Sequence, residues 1–203
     1  PFSKNLSPKE AFPTSSYTEA LARLQYGIGS EDFILLTGPV GVGKSVALLA
    51  LIHSLDPNAY SPIYIRGNNL GEGELYKTIL ASLDRDPPRY TQPARSMFFS
   101  VLPELSRKPI AIIDDAQEMK DAALLSLKSL ANFSSDSQTR ITFILSGQPE
   151  IRARLKLAQY HALKQRIRLF YHMKPMALEE TCRYIDHHTK AAGNPNPLFS
   201  DAA

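Results

Sequence analysis

One octapeptide restricts this chain more than any other segment. Gly38-Pro39-Val40-Gly41-Val42-Gly43-Lys44-Ser45 places a glycine, four residues and then Gly-Lys-Ser between a short apolar run, 32–37, and residues 44–55, whose apolar side chains recur at helical spacing. A strand that enters a glycine loop and leaves as a helix aims backbone N–H groups and the positive end of a helix dipole at one point. Gly38, Pro39, Val40, Gly41, Val42, Gly43, Lys44, Ser45 and Val46 are therefore the expected nucleotide-binding residues. Lys44 adds charge at the β and γ phosphates, and Ser45 offers a hydroxyl to Mg²⁺, a hard cation that takes few protein oxygens. A glycine turn that only joins strand to helix has no need of Lys-Ser after its last glycine. The expected ligands are ATP and Mg²⁺.

A triphosphate site also needs a second group for the metal and, for hydrolysis, a group that activates water. Residues 110–113, Ile-Ala-Ile-Ile, are apolar at every position, the pattern of a strand covered on both faces, and they run into Asp114-Asp115. Asp114 is expected to hold the metal, directly or through water, and Asp115 to act as the base. The alternative is that the two carboxylates cap the next helix, and for one of the pair both readings can hold. Further strands are expected at 62–66, 140–145 and 168–173. Helices are expected at 72–83, 94–105, 121–132, 150–166 with a break, and 178–192, which makes a repeated strand–helix alternation around a parallel sheet.

Composition adds limits. The 203 residues carry 23 Lys plus Arg against 20 Asp plus Glu, a formal charge of +3, so an anionic partner is permitted but not required. No apolar run approaches the roughly 20 residues that span a bilayer, and Pro1-Phe2-Ser3-Lys4-Asn5 lacks the order of a signal peptide. A lone Cys182 cannot form an internal disulfide, so a cytoplasmic setting is expected, with Cys182 a plain helix-face residue. A start at Pro1 suggests a trimmed chain.

Taken together, Pro1-Phe2, residues 17–28, Leu36 through Ser45, Ile112-Ile113-Asp114-Asp115-Ala116-Gln117, Leu145-Ser146-Gly147-Gln148-Pro149-Glu150-Ile151, Gln165-Arg166-Ile167 and Tyr184-Ile185-Asp186-His187 resemble the ExeA-like branch of the AAA+ ATPases. That group includes secretion ATPases and transposon-encoded helpers of the MuB and TniB/TnsC type. The resemblance implies an α/β P-loop fold with a parallel central sheet flanked by helices. It divides the chain into an N-terminal linker and helix (1–30), a nucleotide-binding core (31–176) and the start of a helical lid (177–203) that is largely absent, along with its second sensor arginine. It makes Gln148 or Ser146 the γ-phosphate sensor and Arg166 an arginine finger for a neighbouring subunit, although Arg166 read alone is one basic residue among several. Tyr17 and Tyr26 lie near the adenine or in the core. Relatives carry glutamate where Asp115 stands, one methylene longer, which leads us to expect slow hydrolysis, stimulated by oligomerisation or partners.

The client is less constrained. Arg152, Arg154, Lys156, Lys164, Arg166, Arg168 and Lys174 occur with no acid between residues 151 and 174, and Arg66, Lys77, Arg85, Arg89 and Arg95 form a second basic set. Either run can follow phosphates or form a solvated face or a subunit contact. The first expectation is a homo-oligomer, ring or filament, that binds double-stranded DNA and presents it to a transposase. The alternative is a secretion-type ATPase that remodels an envelope protein. His172, His187 and His188 are read as surface residues, because adjacent helical histidines diverge too far to share a metal.

Overall fold

A computed structural model describes residues 12–30, 33–133, 140–191 and 193. Its centre is a five-stranded sheet in the order β2-β3-β4-β1-β5, built from β1 (Phe33–Thr37), β2 (Tyr60–Arg66), β3 (Lys108–Asp114), β4 (Thr142–Gly147) and β5 (Ile167–His172). Every pairing is parallel. The helices are α1 (Ser15–Ser30), α2 (Lys44–Ser54), α3 (Glu72–Ser82), α4 (Thr91–Val101), α5 (Asp121–Phe133), α6 (Glu150–Arg154), α7 (His161–Arg166) and α8 (Leu178–Ala191).

Hydrophobic patterning decides which strands are central. β1 and β4 are buried at every position and β3 at all but its first, so their uniform apolarity reflects helices on both faces. The edge strand β2 alternates, with Ile63 and Ile65 inside and Tyr64 and Arg66 outside. Its Pro62 sits on the edge and Pro109 near the start of β3, positions where a missing N–H is tolerated. Because side chains alternate across a strand, the sheet divides the core. Phe33, Leu35, Ala111, Ile113, Phe143 and Leu145 face α3, α4, α5 and α7, whereas Ile34, Leu36, Ile110, Ile112 and Ile144 face α1 and α2. Ala20 and Leu24 of α1 are almost fully buried against that second layer, so this helix packs onto the core.

The break expected within 150–166 is present: α6 ends at Arg154, Leu157 is extended, and a short turn, Ala158–Tyr160, precedes α7. The break brings Leu155, Tyr160 and Leu163 into the core together, and the buried Tyr160 donates its hydroxyl to Asp121 Oδ1 at 2.5 Å. The helix expected at 94–105 instead runs from Thr91 to Val101 and is followed by a short turn, Leu102–Glu104. The strand expected from residue 140 begins at Thr142. The last residue of the expected helix 178–192 lies outside the described residues, as do the chain's first eleven.

Gly67 closes the end of β2 onto the acid pair, donating its N–H to Asp114 O at 2.6 Å. A Cβ there would stand 2.5 Å from Asp115 O and 2.9 Å from Asp114 O, both backbone atoms that cannot swing aside. Gly67→Ala should cost about 1–3 kcal/mol in urea unfolding, whereas Gly29→Ala, with open space around it, should not lower stability.

Candidate active site

The loop from Gly38 to Gly43 leaves the C-terminal end of β1, next to the point where the order of connection reverses in the sheet, the crevice where open α/β sheets bind ligands. Gly41 (φ 78°) and Gly43 (φ 96°) take left-handed conformations that side-chain-bearing residues rarely adopt. Gly43 caps α2 without a side chain, which leaves the first helical N–H groups turned toward the loop's hollow. Lys44 is buried and its Nζ donates to Gly38 O (2.9 Å) and Pro39 O (2.8 Å). Burial lowers its pKa, opposed by the negative charges of Asp114, Asp115 and Glu150.

Asp114, at the end of β3, is 6% exposed and receives hydrogen bonds from four directions. Oδ2 accepts from Ser45 Oγ (2.8 Å) and Tyr64 OH (2.6 Å), while Oδ1 accepts from Ser146 Oγ (2.8 Å) and the Asp115 N–H (3.1 Å). Burial works to raise the pKa of this carboxyl, but the donors outweigh it and hold the group below its ordinary value. Tyr64 shows the reverse effect: burial, then its bond to Asp114, pushes the phenol well above its normal range. An ionised carboxylate beside a serine hydroxyl is a hard-oxygen donor set of the kind Mg²⁺ prefers, so the residues present fit that ion.

Asp115 follows in a left-handed conformation, φ 54° and ψ 42°, and is exposed. Aspartate is among the side chains that tolerate this region, so the geometry accommodates the short acid found here. Ser146 is fully buried and committed to Asp114, whereas Gln148, beyond the end of β4, is partly exposed. Arg166 ends α7 where β5 begins, beside Phe33, whereas the loop leaves from Thr37, paired with His172. At about 3.3 Å per strand residue that places it roughly 17 Å from its own phosphate loop.

A cavity of about 490 Å³ adjoins the loop. One wall is Pro39–Gly43 with Val46, and the others come from Phe12, Thr14 and Tyr17, from Lys174–Met176, and from Tyr184 and His188 on α8. Tyr17 lines this cavity, whereas Tyr26 is 73% exposed on α1, lines no part of the cavity and is not in the core. Two histidines also depart from the surface reading. His188 is buried, 4.4 Å from the Tyr184 ring, its Nε2 has no hydrogen-bond partner among the described residues, and burial followed by His187 lowers its pKa. His172 Nδ1 lies 3.0 Å from Thr37 Oγ1 at the base of the loop, and burial, then the cations Arg152, Lys174 and Lys44, depress its pKa.

Within the basic run Arg152, Lys156, Lys164, Arg168 and Lys174 are exposed, but Arg154 turns inward. Arg154 is bound to Asp121 and the Gln117 carbonyl with its side chain largely buried, and Arg152 lies over the Phe170 ring. In the second set Lys77 donates to Arg89 O, and Arg95 lies over Phe99.

Residues 28–155 match the family model described as AAA domain. General secretion pathway protein A of Aeromonas hydrophila is 28% identical over 211 residues, aligned with 100% of this chain and 38% of its own length. Among solved structures, Cdc6p from Pyrobaculum aerophilum superposes with a TM-score of 0.71 at 16% identity, covering 92% of this chain and 54% of that one. The Aeropyrum pernix ORC1 protein, solved in complex with DNA, gives 0.70 at 13% identity over 93% of this chain and 52% of its own. At such identities the likeness is one of fold. The chain spans 38% of the curated relative and about half of these solved chains.

Asp114 stabilises the fold above the unfolded carboxyl pKa of about 3.9, and that contribution disappears as pH falls through the lower folded value. The stability advantage of the wild type over Tyr64→Phe, from urea midpoints, should be about 1.5–3 kcal/mol above pH 4 and shrink below it. Lys44→Met should remove the thermal stabilisation by Mg-ATP, which for the wild type is about 2.7 kcal/mol at a hundred times Kd.

Proposed function

This chain belongs to the AAA domain family, and on that premise we propose that it is an ATP-hydrolysing, oligomeric ATPase of the secretion type that acts on an envelope protein assembly. The observation that carries this reading is the alignment of the whole chain with general secretion pathway protein A of Aeromonas hydrophila. The transposition-helper reading ranks second. Neither the family description nor that relative's name refers to transposition, and Arg154 of the expected DNA-binding run is taken up by Asp121 and Tyr160. The structure's own limit on location is narrow: among the described residues no helix is long and apolar enough to cross a membrane.

In this proposal the loop N–H groups and Lys44 hold the β and γ phosphates, with Ser45 and Asp114 as the groups that would hold Mg²⁺. The ion, when bound, supplies charge neutralisation between the phosphates. Asp115 accepts a proton from the attacking water at a carboxylate oxygen. Gln148 contacts the γ phosphate, and Ser146 fixes Asp114. The adenine sits in the cavity against Tyr17 and α8, so α8 acts as the beginning of the lid over the nucleotide-binding core, with α1 packed alongside. Arg166 lies too far along the sheet to serve its own site and reaches the phosphates of a neighbour, so turnover requires assembly.

Asp115→Asn and Arg166→Ala should each bind ATP like the wild type and lose turnover about a hundredfold or more. Mixed together they should regain part of it, because hybrid contacts pair an intact Asp115 with an intact Arg166. No recovery on mixing would place the arginine's role elsewhere. Wild-type turnover should stay below several per second, consistent with the short Asp115 side chain. Sedimentation with a nonhydrolysable ATP analogue should show larger species than with ADP, and fluorescence anisotropy of a labelled random duplex should not change in either state. Duplex binding only with the ATP analogue would overturn the secretion reading in favour of the DNA one.

A further inference from the structure

Gln117 lies in the short turn Ala116–Glu118 that follows Asp115, and three contacts fix it. Its side-chain Oε1 accepts the Gln148 N–H at 3.0 Å, its backbone carbonyl accepts Arg154 Nη1 at 3.1 Å, and its Nε2 donates to Asp115 Oδ1 at 3.2 Å. The orientation of the amide follows from chemistry: a backbone N–H can only donate, so the oxygen must face Gln148 and the nitrogen is left for the carboxylate. Gly147 leaves room for this arrangement. A Cβ on residue 147 would stand 2.4 Å from Gln117 Oε1. Arg154 is itself anchored by Asp121 and by Tyr160, so the turn is braced from the core side.

We propose that Gln117 is a positioning residue: its amide bridges the tip of β4 to Asp115, sets the direction of that carboxylate, and makes its placement depend on where the β4 tip lies. The inference rests on the reading of Asp115 as the base. It assigns that base a fixed donor and couples it to the segment that carries Gln148. A short acid on an exposed, left-handed turn has few other restraints on its side-chain direction, and a misplacement of even about 1 Å can cost a hundredfold in rate. Asp114 needs no such help, since its oxygens are already held from other elements.

The test measures turnover and affinity for a fluorescent nonhydrolysable ATP analogue in the whole chain, for Gln117→Ala, Gln117→Glu, Gly147→Ala, Asp115→Asn and the Gln117→Ala/Asp115→Asn double variant. Gln117→Ala should lower kcat about tenfold or more and leave Kd for the analogue within about twofold. Gln117→Glu keeps the acceptor for Gln148 but replaces the donor with a charge that repels Asp115, so it should fall at least as far. Gly147→Ala should reproduce the loss by pushing the amide aside. The double variant should be no slower than Asp115→Asn alone, because a residue that acts through Asp115 has nothing further to lose. Losses that multiply in the double variant, or wild-type kcat in Gln117→Ala while Asp115→Asn is inactive, would overturn the proposal and leave the base reading intact. Wild-type turnover in Asp115→Asn would remove the base reading and the proposal together, and that result is read without any change at Gln117.

Discussion

The carboxylate of Asp114 ties this site together. It is buried at the end of a central strand, and water cannot compensate a charge there, so the surrounding chain has to supply donors. They come from α2 (Ser45), β2 (Tyr64), β4 (Ser146) and the backbone of the following residue. Each donor belongs to a different segment. The same charge therefore fixes the start of the phosphate-loop helix against the sheet and locks the relative heights of β2, β3 and β4. A metal that approaches Ser45 and Asp114 meets oxygens already converged by folding, so little ordering is left to binding.

What the sequence made legible follows from how local each signal is. The loop from Gly38 to Ser45 could be read because its glycines, lysine and serine occupy consecutive positions, and positive φ at Gly41 and Gly43 is a demand only glycine meets easily. The central strands could be read because burial on both faces leaves no polar position, and Asp114 stood out as the first charge after such a run. Tyr64 was not legible as part of the site. Its signal is the alternation of β2, which puts it on the face opposite Ile63 and Ile65, but only the pairing of β2 with β3, with Arg66 level with Asp114, brings the phenol to the acid. That register is a long-range fact absent from any short window. The cavity wall from Phe12, Tyr184 and His188 was hidden for the same reason, since it joins segments from opposite ends of the described chain. The broken helix at 150–166 was half visible: its helical spacing continues, but the decision to break comes from the burial of Tyr160 against Asp121.

The stretch from 151 to 174 without acids holds residues of two kinds: Arg152, Lys156, Lys164, Arg168 and Lys174 stay exposed, whereas Arg154 does not. In the fold Arg154 turns inward to Asp121, Tyr160 and the Gln117 carbonyl. It acts as a brace under the Ala116–Glu118 turn. Arg166 separates from the run for another reason: it lies at the end of the sheet remote from the chain's own nucleotide loop.

The backbone at Asp115 joins these observations. Its left-handed turn redirects the chain out of β3 into the Ala116–Glu118 turn, so that Gln117 points back at the carboxylate it follows. The aspartate side chain is short, and the Gln117 amide restrains its direction. The carboxylate is then directed by a contact to the β4 tip and, through Arg154, by the core. A shift of the β4 tip reaches the Asp115 carboxylate through one amide, so Gln148 and Asp115 are linked by hydrogen bonds and not merely by proximity.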